Sequence, residues 1–187
     1  MIKTTVSGAN NARDEIQRAL RKFMTDKVVT VGIHEDDNGR DSGDITNAQL
    51  GAVHEFGADI KHPGGTSYGY STQADAEDGK VRFLKSGAGF MELGVTGPHD
   101  IKIPARPWLV PGVQSGNIEY LRIIRDGVRA GESLETVLQR VGTVAVAKVQ
   151  EYMTQLRTPP NAASTIAKKG SSNPLIDSGA LRQSVDF

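Results

Sequence analysis

A long amphipathic repeat in the C-terminal third of the chain constrains the fold more than any other feature. From Leu134 to Leu156, apolar residues recur at the three- and four-residue spacing of one helix face for about six turns. Ser133 can cap the start of this helix, and the pair Pro159-Pro160 follows its end. Because an apolar face of this length must be buried, we expect the helix to pack on a sheet beside other helices.

Shorter patterns predict the remaining elements of an α+β fold, with a small antiparallel sheet flanked by helices. Helical spacing and candidate caps predict three more helices, over residues 10–26, 46–57 and 117–131. β-branched and alternating runs predict strands over residues 28–33, 81–84, 90–95, 101–103 and 184–187. The length of 187 residues fits one domain, which we expect to span residues 1–187.

Composition excludes several classes of protein. The chain has no cysteine, which excludes a disulfide framework, a thiolate metal site and a cysteine nucleophile. Its 22 basic and 22 acidic residues argue against a dedicated duplex-DNA binder. The charge is unevenly spread, because residues 35–59 hold seven acids against one base, Arg40.

No apolar run approaches the roughly 20 residues that cross a bilayer, and the N-terminal residues lack the apolar stretch of a secretory signal.

The section from residue 58 to residue 102 is too polar and too rich in glycine to be a core segment. Its two strands, 81–84 and 90–95, are joined by Ser-Gly-Ala-Gly, so we predict a long β-hairpin arm. Tyr68 and Tyr70 alternate near the tip of this arm. Exposed aromatic side chains there would suit a protein partner, although β-pairing within the arm would explain them equally well.

Catalytic and metal-binding patterns are incomplete. His54-Glu55 begins like the zinc motif HExxH, but Ala58 occupies the position of the second histidine. His34 beside the acidic loop could touch a hard cation, and a solvated loop explains the same residues. Gly87-Ala88-Gly89 is a lone GxG between strands, where a hairpin turn explains it. We therefore assign no catalytic, cofactor-binding or metal-ligating residue.

The segment IPARPWL holds the single tryptophan of the chain, Trp108. Its two prolines restrict the backbone to an extended path. We expect this path to place Trp108 and Leu109 in the core and to hold Arg106 outward. The last segment, residues 158–187, is a Pro-, Gly- and Ser-rich connector followed by an edge strand, and we expect this tail to dock only on assembly.

Three segments form a combination that covers much of the chain: NAQLGAVHEFGADI, IPARPWLVPGV and TPPNAASTIAKKGSSNPLIDSGALRQSV. In this order they resemble the tail-completion or neck (head–tail joining) proteins of tailed bacteriophages, including the Mu-type virion morphogenesis proteins. The pattern of that group is HEFG at a helix end, then IPxRPFL, then a helical stretch, then PLxDTGxLRxS. The residues that match it, with Trp108 in place of Phe, are His54, Glu55, Phe56, Gly57, Ile103, Pro104, Arg106, Pro107, Trp108, Leu109, Leu175, Asp177, Gly179, Leu181 and Arg182.

The resemblance implies a structural subunit that is not an enzyme, uses no cofactor, and forms a six-fold homo-oligomeric ring in the phage neck or at the top of the tail. Such a ring assembles in the bacterial cytoplasm, contacts head-completion or connector proteins and tail-terminator or tube proteins, and lets DNA pass without sequence-specific binding. The arm would then clasp a neighbouring subunit through Tyr68, Tyr70, Phe83 and Phe90. The acidic loop would face the lumen or an interface through Glu35, Asp36, Asp37, Asp41 and Asp44.

Two alternatives remain open. The first is a tail-terminator or tube-type ring subunit, which has the same general chemistry at another place in the stack. The second, less favoured, is a small metal-dependent hydrolase that uses His54-Glu55 or the acidic loop.

Overall fold

The computed structural model describes residues 27–39, 45–85 and 88–187, and the helix predicted over residues 10–26 lies outside these ranges. The described chain has the α+β composition that the sequence predicts. Its helices are α1 (Asn47–Phe56), α2 (Gln73–Glu77), α3 (Leu109–Ser115), α4 (Asn117–Ala130), α5 (Leu134–Gln155), α6 (Ala163–Lys169) and α7 (Ala180–Gln183). Its strands are β1 (Gly32–Ile33), β2 (Ala58–His62), β3 (Ser67–Tyr70), β4 (Arg82–Phe83), β5 (Met91–Val95), β6 (His99–Ile103) and β7 (Val185–Asp186), and a 3-10 turn spans Glu35–Asp37.

The chain divides into two compact units. The first unit consists of Met1–Phe56 and Ala105–Phe187, and the second unit consists of Gly57–Pro104. The segment predicted as an arm, residues 58–102, lies within the second unit. Ala58 and Ile103 are register partners of one antiparallel ladder, so the two ends of the second unit lie side by side.

Helix α5 is the centre of the first unit, in agreement with the amphipathic repeat. The Ser133 hydroxyl oxygen accepts the Thr136 N–H at 3.1 Å, which confirms the predicted cap. Helix α5 packs against α3, α4 and β7. It contributes Val149 and Met153 to a core cluster. The other members of the cluster come from distant parts of the sequence: Trp108, Leu175, Leu181 and Val185.

Helix α3 is an element that the sequence analysis missed, because Pro111 and Gly112 argue against a helix. Pro111 is the third helical residue, where the backbone N–H has no helical acceptor and a proline costs little. Gly112 lies against α5, and a Cβ there would be 2.8 Å from the Val149 Cα. The two residues that break the sequence pattern therefore let α3 begin and approach α5 closely.

The second unit contains two small antiparallel sheets, and the long hairpin arm is not confirmed. Strands β2 and β6 pair over their whole length. In the other sheet the strand order is β4-β3-β5, so β4 and β5 pair with β3 and not with each other. The reason is that β3, with the sequence SYGY, inserts as the central strand. Gly69 permits this insertion, because a Cβ there would collide with the Met91 carbonyl oxygen.

The C-terminal segment differs from the expected docking tail, because it is already part of the core of a single chain. Leu175, Leu181 and Val185 are buried in the cluster of α5. Val185 also pairs with Ile33 in the β1–β7 ladder, which is shorter than the strand predicted over residues 28–33. Burial of these apolar side chains against α5 orders the tail without a partner. Within the described ranges, no helix combines the length and the apolar content that crossing a bilayer requires.

Candidate functional site

Two of the three motif segments meet at the start of α3, where Glu55 is the connecting side chain. The buried Glu55 carboxylate accepts the N–H of Trp108 at 2.6 Å and of Leu109 at 2.9 Å through Oε2, and the N–H of Val110 at 3.4 Å through Oε1. These N–H groups have no acceptor inside the helix, and a negative charge suits this end of the helix dipole. Glu55 is therefore the cap of α3, and both of its oxygens are engaged by the backbone.

Trp108 fixes the same junction from the other side. Its indole Nε1 donates a hydrogen bond of 3.0 Å to the Gly51 carbonyl oxygen, and the side chain is 2 % exposed. A Cβ at Gly51 would lie 3.0 Å from the Trp108 ring, so the glycine of α1 makes room for the indole. Leu109 is half-buried against the same core. The core positions predicted for Trp108 and Leu109 are confirmed.

Arg106 points inward, and the prediction that it is held outward is wrong. Its side chain is buried, with Nε donating to the Pro159 carbonyl oxygen at 2.8 Å and Nη2 donating to that of Pro160 at 3.0 Å. The Arg106 backbone N–H also donates to the His54 carbonyl oxygen at 2.6 Å. The planar guanidinium reaches two neighbouring carbonyls at once, which satisfies donors that burial would otherwise leave unpaired. Arg106 thus joins the second motif segment to the start of the third.

Asn173 organises the third motif segment, and the sequence analysis missed it. Its Nδ2 donates to the carbonyl oxygens of Met153 and Thr154 at the end of α5, at 3.3 and 2.9 Å. Its Oδ1 accepts the N–H groups of Leu175 and Ile176 at 2.9 and 3.0 Å. The Asn-Pro dipeptide at residues 173–174 was an available signal, because it favours turn initiation. What the pattern could not indicate was the helix end that the amide caps.

A cavity of about 260 Å³ lies between α1, α6 and the C-terminal segment. Two polar atoms on its wall, His54 Nδ1 and Asn161 Nδ2, are buried without a hydrogen-bond partner among the described residues. Burial, followed by the charges of Arg106 and Lys169, lowers the pKa of His54 from 6.5 to about 4. The imidazole is therefore neutral at neutral pH.

The remaining motif residues occupy helix ends, turns and exposed positions. Gly57 follows α1 with φ of 75°, as expected of a helix stop, and Gly179 precedes α7 with φ of 90°. Arg182 donates to the Thr154 hydroxyl at 3.1 Å. Phe56, in contrast, is 80 % exposed. Of the further motif residues, Ile103 is half-buried, whereas Pro104, Pro107 and Asp177 are exposed.

The two predicted interaction surfaces contain none of the residues of the motif junction. Glu35 and Asp36 are exposed in the 3-10 turn that also includes Asp37, whereas Asp41 and Asp44 lie outside the described residues. The aromatic residues Tyr68, Tyr70, Phe83 and Phe90 belong to the second unit, and Phe83 is 75 % exposed. Across the described ranges, no three His, Asp or Glu side chains are grouped as a metal site would require.

The junction is a structural site made of capping and carbonyl-clamping side chains. Glu55 and Arg106, the two charged residues that hold it together, are committed to backbone groups. No protein-family model, curated protein or solved structure matches this chain.

Proposed function

We propose that this chain is a structural virion protein of a tailed bacteriophage, a ring-forming tail-completion or neck subunit that helps to join the tail to the head. The observation that carries the proposal is the interlocking of the three resembling segments. Glu55 of the first caps the helix that begins in the second, and Arg106 of the second clamps Pro159 and Pro160 of the third. Residues that share a pattern in sequence thus share one junction in space.

Exposed apolar side chains favour assembly with other proteins. Phe56 and Ile118 of the first unit and Phe83 of the second unit are each at least three-quarters exposed. A partner that covers such side chains removes apolar surface from water, which is favourable. A virion subunit that packs between neighbouring subunits would bury such side chains on assembly.

The acidic turn supports a secondary part of the proposal, the passage of DNA. Glu35 and Asp36 are exposed, and carboxylates on a lumen wall would repel phosphates and ease sliding. A reconstruction of the assembled ring tests this role. The role is excluded if the turn lies on the outer wall.

The proposed function is tested by genetic loss and biochemical rescue. A phage with a stop codon in this gene should accumulate DNA-filled heads and finished tails that are not joined. Purified protein added to that extract should restore infectious particles. Tails of irregular length would instead favour the terminator alternative, and joined, infectious virions in the absence of the protein would overturn the proposal.

A further inference from the structure

The cavity between α1, α6 and the C-terminal segment contains polar groups that the motif junction does not use. His54 Nδ1 and Asn161 Nδ2 are buried on its wall without a hydrogen-bond partner among the described residues. A buried polar atom without a partner costs free energy, and folded proteins seldom leave one without a protein, water or ligand partner. Two such atoms on one wall indicate that the cavity accommodates a polar molecule or ion.

Two cationic side chains near this cavity have no counter-ion in the described part of the chain. Arg106 is 5 % exposed and donates to the carbonyl oxygens of Pro159 and Pro160. Lys169 lines the cavity, is half-buried, and donates from Nζ to the Asn173 carbonyl oxygen at 2.6 Å. These acceptors are neutral. Burial of a charge without an opposite charge is costly, so an anion beside Lys169 would be favourable.

The electrostatics of the cavity have the same sign. After burial, the charges of Arg106 and Lys169 lower the pKa of His54 to about 4. Burial also lowers the pKa of Lys169, while the carboxylate of Asp177 raises it and the charge of Arg106 lowers it. Two cations and one carboxylate leave a net positive charge around the cavity. Such a site attracts an anion.

The size of the cavity favours a small ion. Its volume of about 260 Å³ exceeds the roughly 30 Å³ of one water molecule and is below the roughly 300–1,000 Å³ of pockets for drug-sized ligands. The hydroxyl groups of Thr165 and Ser178 also line it. The ammonium group of Lys169 has three donors, so its bond to Asn173 leaves two for a ligand.

We propose that this cavity binds inorganic phosphate. Lys169 and Asn161 donate to the phosphate oxygens, and Asp177 accepts the proton of a P–O–H group. Inorganic phosphate keeps such a hydroxyl at neutral pH, whereas sulfate and a phosphodiester do not. A carboxylate in the wall therefore selects phosphate against both, and it selects against the backbone of DNA. The inference goes beyond the proposed function and does not depend on it.

A phosphate ion at this place connects the first motif segment to the third. His54 belongs to α1, Lys169 ends α6, and Asp177 belongs to the C-terminal segment. A ligand that binds only the folded chain stabilises that chain by mass action. Bound phosphate therefore adds to the stability of the junction that Glu55 and Arg106 already hold together.

Isothermal titration calorimetry of the full chain with sodium phosphate, at neutral pH and constant ionic strength, tests the site. We expect a dissociation constant below about 1 mM, with sulfate and dimethyl phosphate at least about tenfold weaker. Phosphate at about 100 times its dissociation constant should raise the midpoint of thermal unfolding by about 5–10 °C. The reference for this shift is sodium chloride of the same ionic strength.

Lys169→Gln tests the charge, because glutamine can still donate to the Asn173 carbonyl oxygen. It should weaken phosphate binding by at least about tenfold. The matched control is Lys168→Gln, which changes the neighbouring, exposed lysine of the same helix. Its effect on the dissociation constant should stay below about twofold. Circular dichroism in chloride checks that both variants are folded.

Asn161→Ala distinguishes a binding residue from a structural one. It removes a buried donor that has no partner in the described chain, so in chloride it should not lower the midpoint of thermal unfolding. In phosphate it should weaken binding by about threefold to tenfold. A lower midpoint in chloride with unchanged phosphate affinity would assign Asn161 to the fold and overturn its role as a ligand contact.

The remaining outcomes are equally decisive. A dissociation constant above about 1 mM, or equal weakening by Lys169→Gln and Lys168→Gln, would overturn the inference and leave the cavity to ordered water. Sulfate or dimethyl phosphate that binds as tightly as phosphate would overturn the selection by Asp177 and, with it, the choice of phosphate as the ligand.

Discussion

Glu55 shows how one residue can decide whether an element forms. Its carboxylate accepts three N–H groups at the start of α3, in a position where water cannot replace it easily. Glu55→Ala should lower the free energy of unfolding by about 2–4 kcal/mol, because it leaves buried donors unpaired. Glu55→Gln should cost about 1–2 kcal/mol, because it keeps acceptor oxygen but loses the charge.

Urea titration followed by Trp108 fluorescence measures both variants. Glu151→Gln is the control, since Glu151 is exposed on α5 and pairs only with side chains at the surface. Its effect should stay below about 0.5 kcal/mol. A Glu55→Ala variant as stable as this control would show that the cap is not needed.

The lowered pKa of His54 makes the free energy of unfolding depend on pH. Its pKa is about 4 in the folded chain and 6.5 ordinarily, so the unfolded chain takes up the proton first as the pH falls. The stabilisation from the neutral imidazole is thus complete above pH 6.5 and is lost as the pH falls towards 4. Its upper bound is about 3 kcal/mol, and partial solvent exposure of the ring reduces it.

His54→Gln should flatten the stability profile in this window relative to wild type. Urea titrations at half-unit steps of pH measure the two slopes. Parallel profiles for wild type and His54→Gln would contradict the assignment.

Packing between elements explains what could be predicted from sequence and what could not. The α5 repeat, its Ser133 cap and the burial of Trp108 follow from local pattern and were predicted correctly. The direction of Arg106 was not, because its acceptors lie more than 50 residues away in sequence. Asn173 likewise acts on α5 carbonyls that no local pattern connects to it. Within the junction, the sequence indicates which residues are involved, but their hydrogen-bond partners are known only from the tertiary structure.

Gly112 tests the contact between α3 and α5. A Cβ there would lie 2.8 Å from the Val149 Cα, and a backbone atom cannot move aside as a flexible side chain can. Gly112→Ala should therefore cost about 1–3 kcal/mol, although alanine favours a helix over glycine. Gly32→Ala is the control, since no atom lies within 4 Å of its added Cβ. Thermal unfolding compares them, and a Gly112→Ala variant at least as stable as wild type would exclude close packing at this point.

At the scale of the whole molecule, the two units differ in how they are stabilised. The first unit has a core cluster in which every member belongs to that unit. The second unit has ladders, turns and two ion pairs but no buried large apolar side chain in its described part. We therefore expect the first unit to fold without the second. We expect the second unit to gain stability when a partner buries its exposed apolar side chains.

Removal of Ala58–Ile103 tests this independence. The two residues are opposite one another in the β2–β6 ladder, about 5 Å apart, so two glycines can join Gly57 to Pro104. A smaller cut, Pro63–Gly79, would be a poorer experiment because it removes β3, the central strand on which both β4 and β5 depend. The shortened chain should unfold cooperatively, with the fluorescence of the buried Trp108 unchanged, because all the contacts of that side chain described above lie in the first unit.

The same shortened chain should self-associate less than the full chain in sedimentation velocity, since Phe83, Phe90 and the other exposed apolar residues of the second unit leave with the deleted residues. Red-shifted Trp108 emission would mean that the first unit needs the second to fold. A folded chain that self-associates as strongly as the full chain would place the contacts between subunits on the first unit. The two readouts separate folding from assembly, because one reports on a buried indole of the first unit and the other on a surface of the second.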